Sequence, residues 1–293
     1  MPERFYFQSS VQIVLKSTLK QDQEKEDIMS VHCPKVNFES DAVSKLTMQG
    51  FIQYFWRELG FLSHTRKFPA PVGVGSQSES YQVFLIEWPT KQDWISVGGK
   101  VLFDMLYILT QLGFVLEESA ALEQDTRNHV EQGEYLYLVT QGGLIVTWAI
   151  FDYLRQDSDL ILYLSGVMVA PRYQGKGISS ALIRTALGES KAKYLAARTQ
   201  NPVMYESILK ACGNVFPNPD VATPADVIEV GEFVAKNRLH MSNYDLKSML
   251  SKSVYGACLY GKPPASVNEP LNSWFTSCVN QADGDAMLVV ARV

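Results

Sequence analysis

The chain has 293 residues, 46% of them hydrophobic, and a formal net charge of −5. That apolar content suffices for one large packed domain or two small ones, and the acidic balance excludes the sequence-independent mode of nucleic-acid binding, which needs a basic stripe along the phosphates. Cysteines at 33, 212, 258 and 278 and histidines at 32, 64, 129 and 240 form no CxxC, HxxxH or HExxH pattern. Neither a zinc site nor a disulfide framework is expected, and the thiols are expected to be reduced. The adjacency of His32 and Cys33 carries little information, because a thiol and its base must meet in space. No charged start leads into an apolar N-terminal core, and the most apolar run, Val101 to Leu116, is interrupted by Asp104 and Gln111. Neither signal peptide nor membrane span is expected, and the cytoplasm is the default location.

In chain order, Phe5 to Leu15 is aromatic and apolar enough for a strand, and Lys20 to Asp27 is a solvated run of mixed charge. Ser40 offers an N-cap to a helix with Met48, Phe51, Ile52, Phe55 and Leu59 on one stripe, which reads as packing rather than a membrane surface because few basic residues flank it. The proline-, glycine- and serine-rich stretch from Phe68 to Ser80 is a connecting loop. It divides an N-terminal extension, 1–78, from the domain that carries the chemistry, 79–293. After it come a strand, Tyr81 to Trp88, and helices over Asp93 to Leu112 and Glu117 to Gln132. Strands follow at Tyr135 to Thr140, Leu144 to Tyr153 and Leu160 to Ala170, joined by turns short enough for an antiparallel meander.

The segment from Leu160 to Ser190 organises the rest. Ile161 to Val169 is rich in β-branched and aromatic residues and Pro171 blocks its extension, which predicts a buried strand. Ile178, Ala181, Leu182, Thr185 and Ala186 share one helical face, so a helix starts at about Gly177. Between them, Gln174, Gly175, Lys176, Gly177, Ile178 and Ser179 present backbone N–H groups at a helix start, with glycines that let an anion approach. An ordinary strand-to-helix turn accounts for the same residues equally well. The spacing is neither GxxxxGK[ST] nor GxGxxG, since Ser180 stands where a third glycine belongs.

The run Val167-Met168-Val169-Ala170-Pro171-x-x-Gln174-Gly175-Lys176-Gly177-Ile178-Ser179 resembles the acetyl-CoA signature of the GCN5-related N-acetyltransferases (GNAT), [Q/R]-x-x-G-x-[G/A], with Ser179 departing from the usual Gly or Ala. Motif and element order together carry the resemblance over residues 80 to 293. It implies a mixed, mostly antiparallel central sheet flanked by helices, an α/β (α+β) fold with a helical insertion before the last strand. It further implies that the turn's amides hold the CoA pyrophosphate and that Val167 and Val169, on a strand splayed from its neighbour, bond the pantetheine arm through their backbone. Tyr194 to Thr199 is then a strand parallel to Leu160–Ala170, linked by a right-handed crossover. Asn201-Pro202 opens a helix stopped by Gly213, with Met204, Tyr205, Ile208, Leu209 and Cys212 buried. By resemblance Asn201 also touches the pantetheine arm; as a plain N-cap it needs no such role.

Residues 214–284 exceed what the family requires. Thr223-Pro224-x-Asp226 looks like a capping box for a helix to about Asn237, Ser242 starts a second helical stretch, Tyr255 to Gly261 reads as extended, and Ala286 to Val293 closes the chain as a strand. The insertion lies on the acceptor side. The resemblance implies an acetyl-CoA-dependent N-acetyltransferase in which a primary amine, of a small molecule or a protein, attacks the thioester directly. Members often use a tyrosine on the helix after the parallel strand as acid; the customary spacing falls near Ile208, and the only tyrosine on that helix is Tyr205, which serves equally as a core aromatic. No carboxylate lies between Leu160 and Pro171 to act as base. Tyr163 and Ser165, which alternation places on the face of Val167 and Val169, are candidates to hold a relay water. The missing carboxylate leaves a second reading open, a CoA-binding or interaction module without catalysis.

Overall fold

Alternating β-branched and aromatic residues from Tyr81 onward build strand after strand of one sheet, and each strand's burial follows from helices on both of its faces. The computed structural model describes residues 65–68, 81–87, 99–116, 120–141, 144–241 and 243–293, with two short strands at 11–12 and 30–31. The chain divides into two units, Met1–Gly60 and Phe61–Val293. In the first, β1 (Val11–Gln12) pairs antiparallel with β2 (Ser30–Val31). The helix expected around residues 48–59 lies outside the described residues, as does the pair His32-Cys33 beyond the end of β2.

In the second unit the described strands are β3 (Thr65–Phe68), β4 (Tyr81–Glu87), β5 (Tyr135–Gln141), β6 (Leu144–Gln156), β7 (Asp159–Val169), β8 (Tyr194–Thr199), β9 (Asn214–Phe216), β10 (Tyr244–Asp245), β11 (Leu250–Ser251) and β12 (Ala286–Arg292). The helices are α1 (Gly99–Phe114), α2 (Ala120–Gln132), α3 (Ile178–Ser190), α4 (Pro202–Cys212), α5 (Ala225–Asn237) and α6 (Glu269–Cys278). The sheet order is β10-β11-β12-β8-β7-β6-β5-β4-β3, with β9 also on β12. Only β7 and β8 run parallel, across the α3 crossover, and the other pairings are antiparallel. The mixed, mostly antiparallel sheet flanked by helices is the fold the sequence implied. The β6–β7 hairpin is longer than expected: pairing continues to Gln156–Asp159, and Asp157, with φ of 52°, makes the tight turn.

Helices α3, α4 and α6 cover one face, where Ile178, Leu182, Tyr205, Ile208 and Phe275 pack on Leu162, Leu164, Leu195 and Val289. On the other, Val227, Val230 and Val234 of α5 meet Ile161, Tyr163, Tyr194 and Leu288, while α1 receives the Trp148 indole, whose N–H donates to the Leu106 carbonyl at 3.2 Å. Asn201 caps α4 by accepting from the Val203 N–H at 2.8 Å, and Gly213, at φ of 82°, ends that helix. Both follow the sequence.

Three expectations in the insertion are corrected. Helix α5 is entered through Pro224 without a side-chain cap, because Asp226 is turned to Tyr194 on β8 and Arg292 on β12. The stretch after Ser242 is a hairpin, β10–β11: Asp245 accepts from the N–H and hydroxyl of Ser248, which closes a tight turn where a helix would have begun. Tyr255 to Gly261 pairs with no strand and forms an irregular strap, tied by Tyr255 N–H to Gly284 O and by Gly261 N–H to Phe114 O.

Asp152 of β6 holds the elements around β7 together. Its carboxylate is 5% exposed, accepts from Nε and Nη2 of Arg238 at 2.9 and 2.8 Å, and takes the Glu134 N–H at 3.0 Å. Removing one partner strands a buried charge, so Asp152→Ala is expected to cost roughly 3 kcal/mol of unfolding free energy in urea titrations; a loss below about 1 kcal/mol, the range of an exposed pair, would contradict this role.

Candidate active site

The site begins where β7 and β8 part. Their parallel pairing runs only from Ile161–Tyr194 to Leu164–Ala197. Just beyond, Gly166 pairs with Ile150 and Leu164 with Phe151, which leaves Ser165 as the extra residue of a bulge. A bulge bends its strand and breaks the two-residue alternation. Leu162, Leu164 and Val167 consequently pack on the α3 side, whereas Tyr163 packs on the α5 side. The sequence placed Tyr163 with Val167 by uninterrupted alternation, and the bulge overturns that.

Past the bulge β7 remains bonded to β6, and the Ala170 N–H donates to Val146 O at 2.9 Å. In an antiparallel ladder alternate residues point their N–H and C=O to the same neighbour. Met168, in step with Ala170, therefore serves β6, and Val167 and Val169 direct theirs into the gap. Val169 O already accepts the Gln174 side-chain amide at 3.1 Å. The gap widens into a cleft of about 110 Å³ walled by Thr110, Trp148, Ser165, Val167, Arg198 and Tyr260 among others.

The glycine turn follows the end of β7. Gly175 and Gly177 have φ of 73° and 77°, and a Cβ on either would meet nothing within 4 Å, so the hollow before α3 is open. Gly177 is the N-cap, with no side chain bonded to the helix start. The first helical bond is Ala181 N–H to Gly177 O, which leaves the N–H groups of Ile178, Ser179 and Ser180 without intrahelical acceptors. Ile178 buries its side chain beneath the turn, Ser179 is half-buried, and Lys176 lies exposed with Nζ 5.2 Å from the Tyr173 ring. Ser180, where a nucleotide motif would place glycine, donates to Ser207 O at 2.9 Å and fastens α3 to α4.

Other expected residues divide. Asn201 lines the cleft, and besides capping α4 its side chain is within hydrogen-bonding reach of the Tyr260 hydroxyl. Tyr205 is not brought to the cleft. It is 1% exposed, its hydroxyl donates to Pro217 O at 2.8 Å, and Trp274 and Phe275 pack edge-on against its ring. Its position a turn before the customary place faces it into the α6 interface.

Residues that sequence reasoning passed over fill the cleft's far wall. His129 Nδ1 lies 3.0 Å from Ser165 Oγ, and its Nε2 lies 3.7 Å from Asp125 Oδ2, one turn earlier on α2. Burial pushes the His129 pKa below the usual imidazole value, and the Arg198 and Arg238 charges push the same way against Asp125 and Asp152. The ring is thus a neutral base near pH 7. Arg198 Nε donates to the Tyr255 hydroxyl at 2.9 Å. Tyr260, half-buried in the cleft wall, has its pKa raised by desolvation, which keeps its proton on the oxygen. The signal available in the sequence for His129 was only its i,i+4 partner Asp125; its meeting with Ser165 is a matter of tertiary packing. Among the described residues no group of His, Cys, Asp and Glu is arranged to hold a metal ion, and no helix is long and apolar enough to cross a membrane.

No curated protein matches this sequence. Among solved structures, a GCN5-related N-acetyltransferase from Kribbella flavida is 21% identical over 44% of this chain and 32% of its own, with a TM-score of 0.31. This chain therefore spans about a third of that protein. A GNAT family acetyltransferase from Elizabethkingia anophelis with acetyl-CoA bound is 14% identical over 78% and 99%, at 0.36, and Naa50 of Arabidopsis thaliana, in complex with a bisubstrate analogue, is 18% identical over 46% and 87%, at 0.32. With scores this low the assignment rests on the family match and on the residues above. Residues 103–213, which hold the bulge, the glycine turn and the His129 wall, match the acetyltransferase (GNAT) family and form a GNAT acetyltransferase domain.

Proposed function

We propose that the protein is an acetyl-CoA-dependent N-acetyltransferase in which a primary amine attacks the thioester directly. The observation that carries this reading is that one strand, β7, holds Ser165 against a neutral imidazole and then leads into an open turn suited to an anion. The amides of Gln174, Gly175, Lys176, Gly177, Ile178 and Ser179 face the pyrophosphate, aided by the α3 dipole. The free edge of Val167 and Val169, with Asn201 opposite, suits the pantetheine amides, and the thioester then falls near Ser165.

The attacking ammonium first loses a proton, through Ser165 Oγ, to His129, whose resulting charge Asp125 stabilises. The amine nitrogen forms a bond to the acetyl carbon, the C–S bond breaks, the departing thiolate takes a proton from the acid, and the nitrogen's second proton leaves the new amide and restores that acid. Tyr260 supplies the thiolate's proton in this reading, since it lines the cleft and is protonated at neutral pH; Tyr205, hydrogen-bonded to Pro217, packs in the core. A CoA-binding module without catalysis is the alternative that the missing carboxylate on β7 and the shifted tyrosine motivate; a base offered by His129 from another element supports the catalytic reading.

Gly177→Glu places a carboxylate where the pyrophosphate belongs and is expected to weaken acetyl-CoA binding by calorimetry at least about tenfold; the side chain meets open space, but the φ of 77° strains any residue other than glycine, so a thermal melt of the variant accompanies the titration. Unchanged affinity would falsify the turn assignment. His129→Ala is expected to lower kcat by roughly a hundredfold and to erase the acidic limb of the pH–rate profile. In the parent enzyme that limb lies below the ordinary imidazole pKa near 6.5, because burial lowers the value and activity is gained as pH rises through it. A limb at or above that value in the parent, or an unaltered profile in the variant, removes His129 from the reaction. Tyr260→Phe is expected to slow turnover more than Tyr205→Phe, and the reverse order would return the acid to Tyr205. Direct attack also requires that incubation with acetyl-CoA alone leave no acetyl adduct on the protein by intact mass; an adduct on Ser165 would establish a covalent route instead.

A further inference from the structure

The charges in the cleft do not balance evenly. Arg238 is neutralised by Asp152, with both of its bonding nitrogens on one carboxylate oxygen. Asp125 stands beside His129, and its field reaches Arg198 only as the weakest of the influences on that guanidinium. Arg198 itself bonds no carboxylate among the described residues. Its Nε donates to a neutral phenol, Tyr255, over whose ring the guanidinium also lies at 4.7 Å. Arg198 is also one of the residues that line the cleft. A guanidinium presents parallel N–H donors matched to a planar oxyanion, and a largely desolvated one without a counter-ion is where such an anion binds.

Its position says which molecule brings that anion. Arg198 follows Ala197, the last β8 residue paired with β7, so it sits at the mouth of the gap, across from Ser165. Neighbouring strand residues point to opposite faces: Ala197 packs on the α3 side, and Arg198 points to the face of Tyr163 and Ala196, away from the pyrophosphate turn. That is also the face of His129. The strap roofs this end: Gln200, 1% exposed, donates to Ala257 O at 3.3 Å and accepts the Leu259 N–H at 3.0 Å, while Gly261 N–H donates to Phe114 O at 2.9 Å. Tyr255, Leu259 and Tyr260 of the strap face inward. The strap thus covers the side of the cleft that Arg198 lines.

We propose that the acceptor is a small amino acid-like molecule, a primary amine that also bears a carboxylate, with the carboxylate on Arg198 and the amine presented to Ser165 and His129. This deepens the acetyltransferase reading and rests on it. The test compares amines in matched pairs, glycine with glycinamide, β-alanine with its amide, and phenylalanine with phenethylamine, by thiol release from acetyl-CoA and by thermal shift of the acetyl-CoA-loaded protein. The carboxylated member of at least one pair is expected to be favoured by about tenfold or more in kcat/KM, or to be the one that stabilises the protein, as for a hydrogen bond to a charged group. Arg198→Met is expected to abolish that preference chiefly through KM, Arg198→Lys to restore part of it, and acetyl-CoA affinity by calorimetry to stay within about twofold in both, since Arg198 faces away from the turn.

If acetyl-CoA binds and no pair favours the carboxylate by either readout, or if Arg198→Met lowers both members of a pair equally, the carboxylate proposal is overturned and the acetyltransferase reading stands. If the parent protein does not bind acetyl-CoA, both fall.

Discussion

One extra residue in one strand opens this molecule for chemistry. β7 is zipped to β6 along its whole length, yet its other edge keeps company with β8 only as far as Leu164. Ser165, unpaired in the ladder, bends β7 away and exposes the backbone of Val167 and Val169 in the interior of a sheet, where polar groups left bare are costly. A sheet that merely needed stability would close that gap. Kept open, it is a slot whose walls are rigid because each strand is anchored on its far side, β7 by β6 and β8 by β12. An extended ligand with amide groups can complete the missing ladder, and the turn into α3 receives whatever anion lies at its end.

The chemistry around Ser165 follows from the same bend. By leaving alternation at the bulge, β7 sends Tyr163 to one face and Val167 to the other, and Ser165 meets His129 from α2 and, at 3.5 Å, Nη2 of Arg238 from the end of α5. Three separate segments thus converge on one hydroxyl. Asp152 and Arg238 hold the segments at their positions, so the elements that shape the cleft are fixed by an ion pair just outside it. The C-terminal insertion adds the fourth wall: Asp285 accepts from Lys252, Ser253 and Asn280, tying down one end of the strap, and Glu206 with Ser266 ties down the other.

How much of this was legible in the sequence depends on the range of the interaction involved. The strand into α3, the glycine turn and the Asn201 cap are local, set by residues within a turn or two, and their places in the chain were read correctly. The element order came with them. What depends on distant pairing was not legible. The bulge has no local marker, so Tyr163 was placed on the wrong face. His129 was visible only as a histidine without a metal pattern, because its partner Ser165 is 36 residues away. The Thr223–Asp226 box failed because Asp226 found Arg292 and Tyr194 across the sheet, and Tyr205, chosen as the only tyrosine on its helix, packs against α6, a helix the sequence reading did not include. Local rules held where no tertiary partner outbid them.

The central claim, that the bare backbone edge of β7 and the amides of the turn are one continuous binding surface, is tested most directly by hydrogen exchange with and without CoA. Binding is expected to slow exchange of the amides of Val167 and Val169 together with those of residues 175–180, while Met168, already bonded to β6, changes little. Protection of the turn alone, or unchanged exchange at Val167 and Val169 under saturating CoA, would contradict it.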